Sequence, residues 1–279
     1  MNYIDKDADL VVNLFLKKHL KKRYPPVTSL SNPIFKKRGN SFDFKNIREY
    51  QMNDDLRKID WKLYGRTSRY FIKEYFEEEN LPIYILVDTS NSMTIHNELY
   101  LKSYIATFAY ILLKLQYTIN IITFKDNINN LLLSVKGTRK LHNLNNFIDN
   151  ITFDGQTDIH RTLKLVHKKF KPSIVYLFSD LFCTTDYGSY MTNFKKSIIV
   201  HNMKSLTESI EDFGYYSVVD PETNETINIT YDSIMKKRIL DEELNFTKGF
   251  KKPKIKYVEF NEKLEKSSFY ISLLESLYE

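Results

Sequence analysis

Two apolar runs of strand length, Ile83-Tyr84-Ile85-Leu86-Val87 and Ile174-Val175-Tyr176-Leu177-Phe178, each open onto an oxygen-rich loop carrying an aspartate, and this limits what the chain can fold into. Unbroken β-branched and aromatic runs suit strands covered on both faces, the condition of a parallel sheet between helices. The loops are Asp88-Thr89-Ser90-Asn91-Ser92 and Ser179-Asp180; a third polar stretch, Gly155-Gln156-Thr157-Asp158, precedes a helical pattern. A carboxylate and two hydroxyls at alternate positions can aim several oxygens at one spot. Hard cations want such donors: Mg²⁺ takes roughly six oxygens and seldom loses all its water. Open α/β sheets gather ligands at strand ends. Asp-x-Ser-x-Ser alone is also an ordinary helix-capping turn; three such loops in order favour the metal.

Strand and helix signals alternate from residue 81 onward, the signature of a mainly parallel sheet. Leu101, Ile105, Phe108, Ala109, Leu112 and Leu115 recur at helical spacing, as do Leu141, Leu144, Phe147 and Ile148, and then Ile159, Leu163, Val166 and Phe170. Residues 120–124 and 128–135 read as a hairpin, and 197–200 as the last strand. Residues 8–22 carry an apolar stripe of Leu10, Val11, Leu14 and Phe15, with lysines towards the end where the helix dipole favours them. Residues 27–69 read as polar loop and 70–76 as a strand. The tail has an extended segment at 215–219, a turn at Asp220-Pro221 and a terminal helix from Ser267. The expected divisions are 1–80, 81–213 and 214–279.

Asp88-x-Ser90-x-Ser92, Thr157 and Asp180, in that order, resemble the metal-ion-dependent adhesion site of von Willebrand factor type A domains. The resemblance implies a doubly wound, mostly parallel, Rossmann-like α/β sheet, here with an N-terminal extension and a C-terminal α+β segment packed on it. It implies Mg²⁺ or Mn²⁺, with Asp88 and Asp180 giving negative charge directly or through water and Ser90, Ser92 and Thr157 giving neutral oxygens. A partner's carboxylate then completes the ion's exposed position. Asp158 either holds a coordinating water or caps the helix it precedes.

A second resemblance lies upstream. Arg48-Glu49-Tyr50, the string Asp54-Asp55-Leu56-Arg57-Lys58-Ile59-Asp60-Trp61 and Arg66 are similar to the hallmark of the bacterial family catalogued as domain of unknown function 58. Val219-Asp220-Pro221-Glu222-Thr223 resembles that family's region after the A domain, with Asn53 and Asn224 standing where the family usually has glycine. The cluster Arg48, Tyr50, Asp54, Asp55, Arg57, Asp60, Trp61 and Arg66 reads as a charged network with arginine forked onto carboxylate. One role for it is a structural clasp anchored by the sole tryptophan, another a docking surface. The family implies a non-enzymatic adaptor that works with a MoxR-type AAA+ ATPase on a client protein. The alternative is a metal-dependent hydrolase, such as a phosphodiesterase, using Asp88, Asp180 and the Asp54/Asp55 pair.

Composition agrees with a globular protein: 42% hydrophobic and 14% aromatic residues are ample for a core. The single cysteine, Cys183, excludes an internal disulfide framework and a cysteine-built zinc site. No stretch approaches the roughly 18 apolar residues of a membrane span, and the first residues lack the order of a signal peptide, so a cytoplasmic protein is expected. The net charge of +6 is spread widely and reads as solvated surface, without a specific nucleic-acid partner. His160 and His167 stand two helical turns apart, which does not match a zincin pair, and no P-loop, dinucleotide fingerprint or nucleophile elbow is present.

Overall fold

The computed structural model describes residues 3–21, 36–52, 54–78, 81–95, 98–171, 174–181, 188–201, 210, 212–220, 222–248, 254–260 and 265–277. Two compact units emerge: residues 1–25 with 82–279, and residues 26–81.

The larger unit is built on six strands: β3 (Ile83–Asp88), β4 (Thr118–Phe124), β5 (Ile128–Lys136), β6 (Ile174–Ser179), β7 (Lys196–His201) and β10 (Ile255–Glu259). Their order across the sheet is β10-β7-β6-β3-β4-β5. Counted along the chain within the sheet and read from the β5 edge, this is third-second-first-fourth-fifth-sixth, the order of a doubly wound α/β fold. All neighbours are parallel except the edge strand β5, which pairs antiparallel with β4. The fold is therefore the von Willebrand A-like, Rossmann-type sheet expected. β3 and β6 are its first and fourth strands; the chain leaves β3 towards one edge and β6 towards the other. The crevice beyond their C-terminal ends is where such a sheet leaves room for a ligand.

Burial follows from the apolar runs. Every residue of β3 and β6 is buried. Tyr84, Leu86, Val175 and Leu177 pack with Ile159, Leu163 and Val166 of α5 (Ile159–Phe170) on one face. Alternate residues point the other way, where the Tyr176 ring lies 4.8 Å from that of Phe108 on α3 (Glu98–Lys114). The helical positions expected on α3, from Leu101 to Leu115, are all buried.

Three expectations need correction. The last strand of the sheet is β10, not 197–200, so the C-terminal segment expected to pack on the sheet also adds a strand to it. The helix Lys266–Glu275 covers the face that carries Tyr176 and α3: Tyr176 Oη donates to the Leu273 carbonyl at 2.8 Å, and Tyr104 stands edge-on to Phe269 at 5.5 Å. Sequence gave weak warning, because the five residues of β10 have no long apolar run. The stripe on α1 (Ala8–Lys21) is also shifted. Ala8, Val11, Val12 and Phe15 are buried, whereas Leu10 and Leu14 are exposed. α1 packs on α3 and on Lys266–Glu275, and Asp5 bonds both Thr107 (its N–H to Oγ1, 2.9 Å) and Lys266 (2.8 Å).

The third correction concerns the smaller unit. Residues read as loop form β1 (Lys36–Glu49), which pairs antiparallel with β2 (Phe71–Glu78) in a register interrupted between Gly39 and Asn46. Its polar, charge-rich sequence hides the strand, since no alternation of apolar residues marks it. Among the described residues no helix is long and apolar enough to cross a membrane.

The buried Tyr176 hydroxyl gives a test of the tail's place in the core. Tyr176→Phe should lower stability by about 0.5–1.5 kcal/mol in denaturant melts, the net value of one buried hydrogen bond. A loss indistinguishable from zero would argue against the tail helix being seated there.

Candidate metal centre

Asp88 is the last residue of β3, and Asp180 follows β6 directly. Because β3 and β6 are adjacent and in register up to Val87 and Phe178, the two aspartates emerge side by side at the switch-point crevice. Both are buried. Asp88 Oδ1 accepts the Ser90 N–H at 3.0 Å, and Oδ2 accepts the hydroxyls of Ser179 at 2.8 Å and Thr157 at 3.1 Å. Ser90 and Ser92 hydroxyls lie 3.0 Å apart. The four side chains of Asp88, Ser90, Ser92 and Thr157 thus converge, with Asp180 at the end of the neighbouring strand.

The loops are tied together by backbone. Asn91 N–H donates to the Gly155 carbonyl at 2.9 Å, Asp154 N–H to Thr89 at 3.0 Å, and Thr89 N–H to Phe124 at 2.9 Å. Gly155, at φ +74°, supplies the left-handed turn that brings Thr157 inward. Asp158 accepts the Arg161 N–H at 2.8 Å, so of its two expected roles the structure shows the helix cap. Leu181 sits at φ +61°, uncommon for a bulky residue, and its N–H bonds Ser179 Oγ at 2.9 Å. That turn sets the direction in which Asp180 leaves the strand. His201, at the end of β7, donates from Nε2 to the Asp180 carbonyl at 3.1 Å and accepts the Tyr257 hydroxyl at Nδ1.

Electrostatically the centre is an acid pocket. Burial first, and then the charge of Asp180, push the Asp88 carboxyl up to about 7. Its hydrogen-bond partners are an amide and hydroxyls, none of them a cation. Burying two carboxylates together is costly unless a positive charge joins them. A divalent cation between them, completed by neutral hydroxyls, meets that need, so the donor set fits Mg²⁺ or Mn²⁺. Among the described residues no group of three or more His, Cys, Asp or Glu is arranged to hold a metal by itself, which leaves hydroxyls to supply the remaining donors.

Three participants escaped the sequence reading. Ser179 was seen only as a neighbour of Asp180, although its place at a strand end opposite Asp88 follows once β3 and β6 are paired. His201 had no motif. Glu222 was read only as part of a tail turn; its carboxylate Oε1 accepts the Ser92 hydroxyl at 3.1 Å. Nothing local connects positions so far apart in sequence.

The upstream cluster belongs to the smaller unit, where it builds turns. Arg48 forks onto Asp54 with two bonds of 2.6 Å, and Asp54 also accepts the Gln51 N–H at 2.7 Å. Asp55 accepts the Arg57 N–H at 3.0 Å and pairs with its guanidinium. Asp60 caps α2 (Trp61–Thr67) through Lys62 and Leu63 N–H, at 3.0 and 3.1 Å, and meets Lys73 at 3.2 Å. Tyr50 N–H bonds the Tyr70 carbonyl at 2.9 Å, and Arg66 occupies the last turn of α2, where the dipole favours it. Trp61, the residue expected as the anchor, is 62% exposed and stands edge-on to Tyr64 at 6.0 Å. Among the described residues of this unit, Ile59, Asp60 and Ile72 are buried. Asn53 and Cys183 lie outside the described residues.

Residues 46–244 match the family described as "Protein of unknown function DUF58". No curated protein matches. Among solved structures, the chain is similar to a conserved hypothetical protein, BatB, from Bacteroides thetaiotaomicron, at 13% identity over 71% of this chain and 98% of that one, with a TM-score of 0.44. It is also similar to the SpRpn10 VWA domain, at 11% identity over 69% of this chain and 94% of that one, with a TM-score of 0.38.

Two outcomes test this picture of the cluster. Trp61→Ala should change stability by less than about 1 kcal/mol, as for an exposed site, and Asp60→Ala should cost about 1 kcal/mol or more for the lost cap; a larger loss for Trp61→Ala would restore the clasp. The Arg48 guanidinium beside Asp54 lowers its carboxyl to about 2. A folded value below the unfolded one makes the pair's contribution fully present above the ordinary carboxylate range, and lost as pH falls through about 2. An NMR titration of Asp54 should show that midpoint, moving upward in Arg48→Ala.

Proposed function

The chain belongs to the DUF58 family, and we propose that it is a non-enzymatic interaction module whose metal centre binds an acidic side chain of a partner protein. Mg²⁺ or Mn²⁺ would be held by Asp88, Ser90, Ser92, Thr157 and Asp180. The observation that carries this reading is the pair of buried carboxylates at the switch point, with the hydroxyls of Ser90, Ser92, Thr157 and Ser179 around them. With few anionic ligands of its own the ion stays electrophilic, and an incoming carboxylate is the complement it attracts. The von Willebrand A-like fold is of a protein-interaction kind, which supports the same reading.

The partner assigned in this proposal is a MoxR-type AAA+ ATPase, acting with the module on a client protein in the cytoplasm. Its support is the family resemblance. A hydrolase would need a general base beside a metal-bound water, and the carboxylates of Asp54 and Asp55 are instead engaged by Arg48 and Arg57. The adaptor reading is the better supported.

Two measurements test it. Mg²⁺ at about a hundred times its dissociation constant should stabilise the protein by about 2.7 kcal/mol, raising the melting midpoint by roughly 5–10 °C. Asp88→Ala should abolish that rise; a rise that persists in the variant places the ion elsewhere. Capture of the AAA+ ATPase should be released by EDTA and weakened by Ser90→Ala or Thr157→Ala. Tight capture indifferent to EDTA, or Mg²⁺-dependent cleavage of a phosphodiester by the protein alone, would overturn the adaptor.

A further inference from the structure

The carboxylate that reaches the metal centre in this structure comes from the chain itself. β8 (Gly214–Val219) and β9 (Thr226–Tyr231) pair as a two-stranded antiparallel ribbon, and Glu222 stands in the turn that joins them. Ser92 donates its hydroxyl to Glu222 Oε1 at 3.1 Å, and the Ser90 hydroxyl lies 3.0 Å from that of Ser92. Glu222 thus meets one of the groups that frame the crevice and stands next to a second. The contact joins residues far apart in the chain, so it is a tertiary feature and no accident of a local turn.

The turn is built to hold Glu222 there. Asp220 Oδ1 accepts the N–H of Glu222 at 2.7 Å and of Thr223 at 3.2 Å. The Asp220 N–H donates to the Glu225 carbonyl at 2.9 Å, and the Asn224 N–H donates back to Asp220 at 2.9 Å. Asn224 takes φ +59°, the left-handed conformation that asparagine tolerates where glycine is usual. With both ends of the turn pinned, the glutamate side chain is presented without a large loss of freedom on docking.

We propose that Glu222 is an internal ligand of the centre: with a divalent cation bound, its carboxylate occupies the position that a partner's acidic side chain must take. This rests on the metal-centre reading above and deepens it. A third carboxylate brought up to Asp88 and Asp180 from its place on Ser92 is repelled without a cation and attracted with one, so the cation and the ribbon tip bind cooperatively. A partner's carboxylate gains access by displacing the tip, and the ribbon β8–β9 is the element that moves.

The test uses the full chain, wild type, Glu222→Gln, Glu222→Ala and Asp88→Ala, each titrated with Mn²⁺ by calorimetry while amide exchange is followed over residues 214–231. Asp88→Ala should bind no Mn²⁺ at this centre, which checks the underlying reading. Both Glu222 variants should keep the fold and bind Mn²⁺ about 10- to 100-fold more weakly. Mn²⁺ should slow exchange at the ribbon tip in the wild type and leave it unchanged in the Glu222 variants. If Asp88→Ala loses the ion while the Glu222 variants match the wild type in affinity and in tip protection, the internal ligand is refuted and the metal centre stands. If the wild type binds no Mn²⁺, or Asp88→Ala binds it equally well, the metal reading fails and the internal ligand fails with it.

Discussion

Asp88 ends a strand that is buried along its whole length, so its carboxylate is carried into the protein by the packing of the sheet. No local preference of the aspartate would put it there. The penalty for that burial is met in part by the Ser90 amide and the Ser179 and Thr157 hydroxyls, and it is increased by Asp180 on the neighbouring strand. The surrounding loops follow from this tension. The Asp88 and Gly155 loops are tied to each other by backbone bonds, and Ser179 reaches Asp88 through its hydroxyl, so that hydroxyls face the carboxylate. A cation would relieve what hydrogen bonds alone leave uncompensated.

The strand order makes the position necessary. In a doubly wound sheet the connections part on either side of the first and fourth strands, and the space between them cannot be covered by a crossover helix. Here the two aspartates stand at those two strand ends. The smaller unit follows a different logic: its aspartates are caps and ion-pair partners within turns, with Arg48–Asp54 closing one and Asp60 opening α2. The same residue type serves as charge in one unit and as hydrogen-bond geometry in the other.

Much of this was legible in the sequence. Apolar runs marked β3 and β6, helical spacing marked α3, α4 (Leu141–Asp149) and α5, and five oxygen-bearing residues near the two strand ends could be named because each lies next to an element with a strong period. Legibility failed where the period was short or absent. β1 is polar, β10 is brief, and α1 buries Ala8 and Val12 in place of Leu10 and Leu14 because neighbouring helices, not hydrophobicity alone, choose the face. Trp61 shows that size alone does not imply burial: it opens α2 and is exposed there. Glu222 was illegible for a topological reason: its turn could be read from Asp220 and Asn224, but not the surface on which that turn lands.

The central claim is that the buried acid pair at the switch point holds a divalent cation. Crystals of the protein grown with Mn²⁺, measured at the manganese absorption edge, address it most directly. The account predicts one anomalous peak in the crevice, among the side chains of Ser90, Ser92 and Thr157 with Asp88 and Asp180 beside it. A well-ordered crevice with no such peak at saturating Mn²⁺, or a peak only at another site, would contradict it.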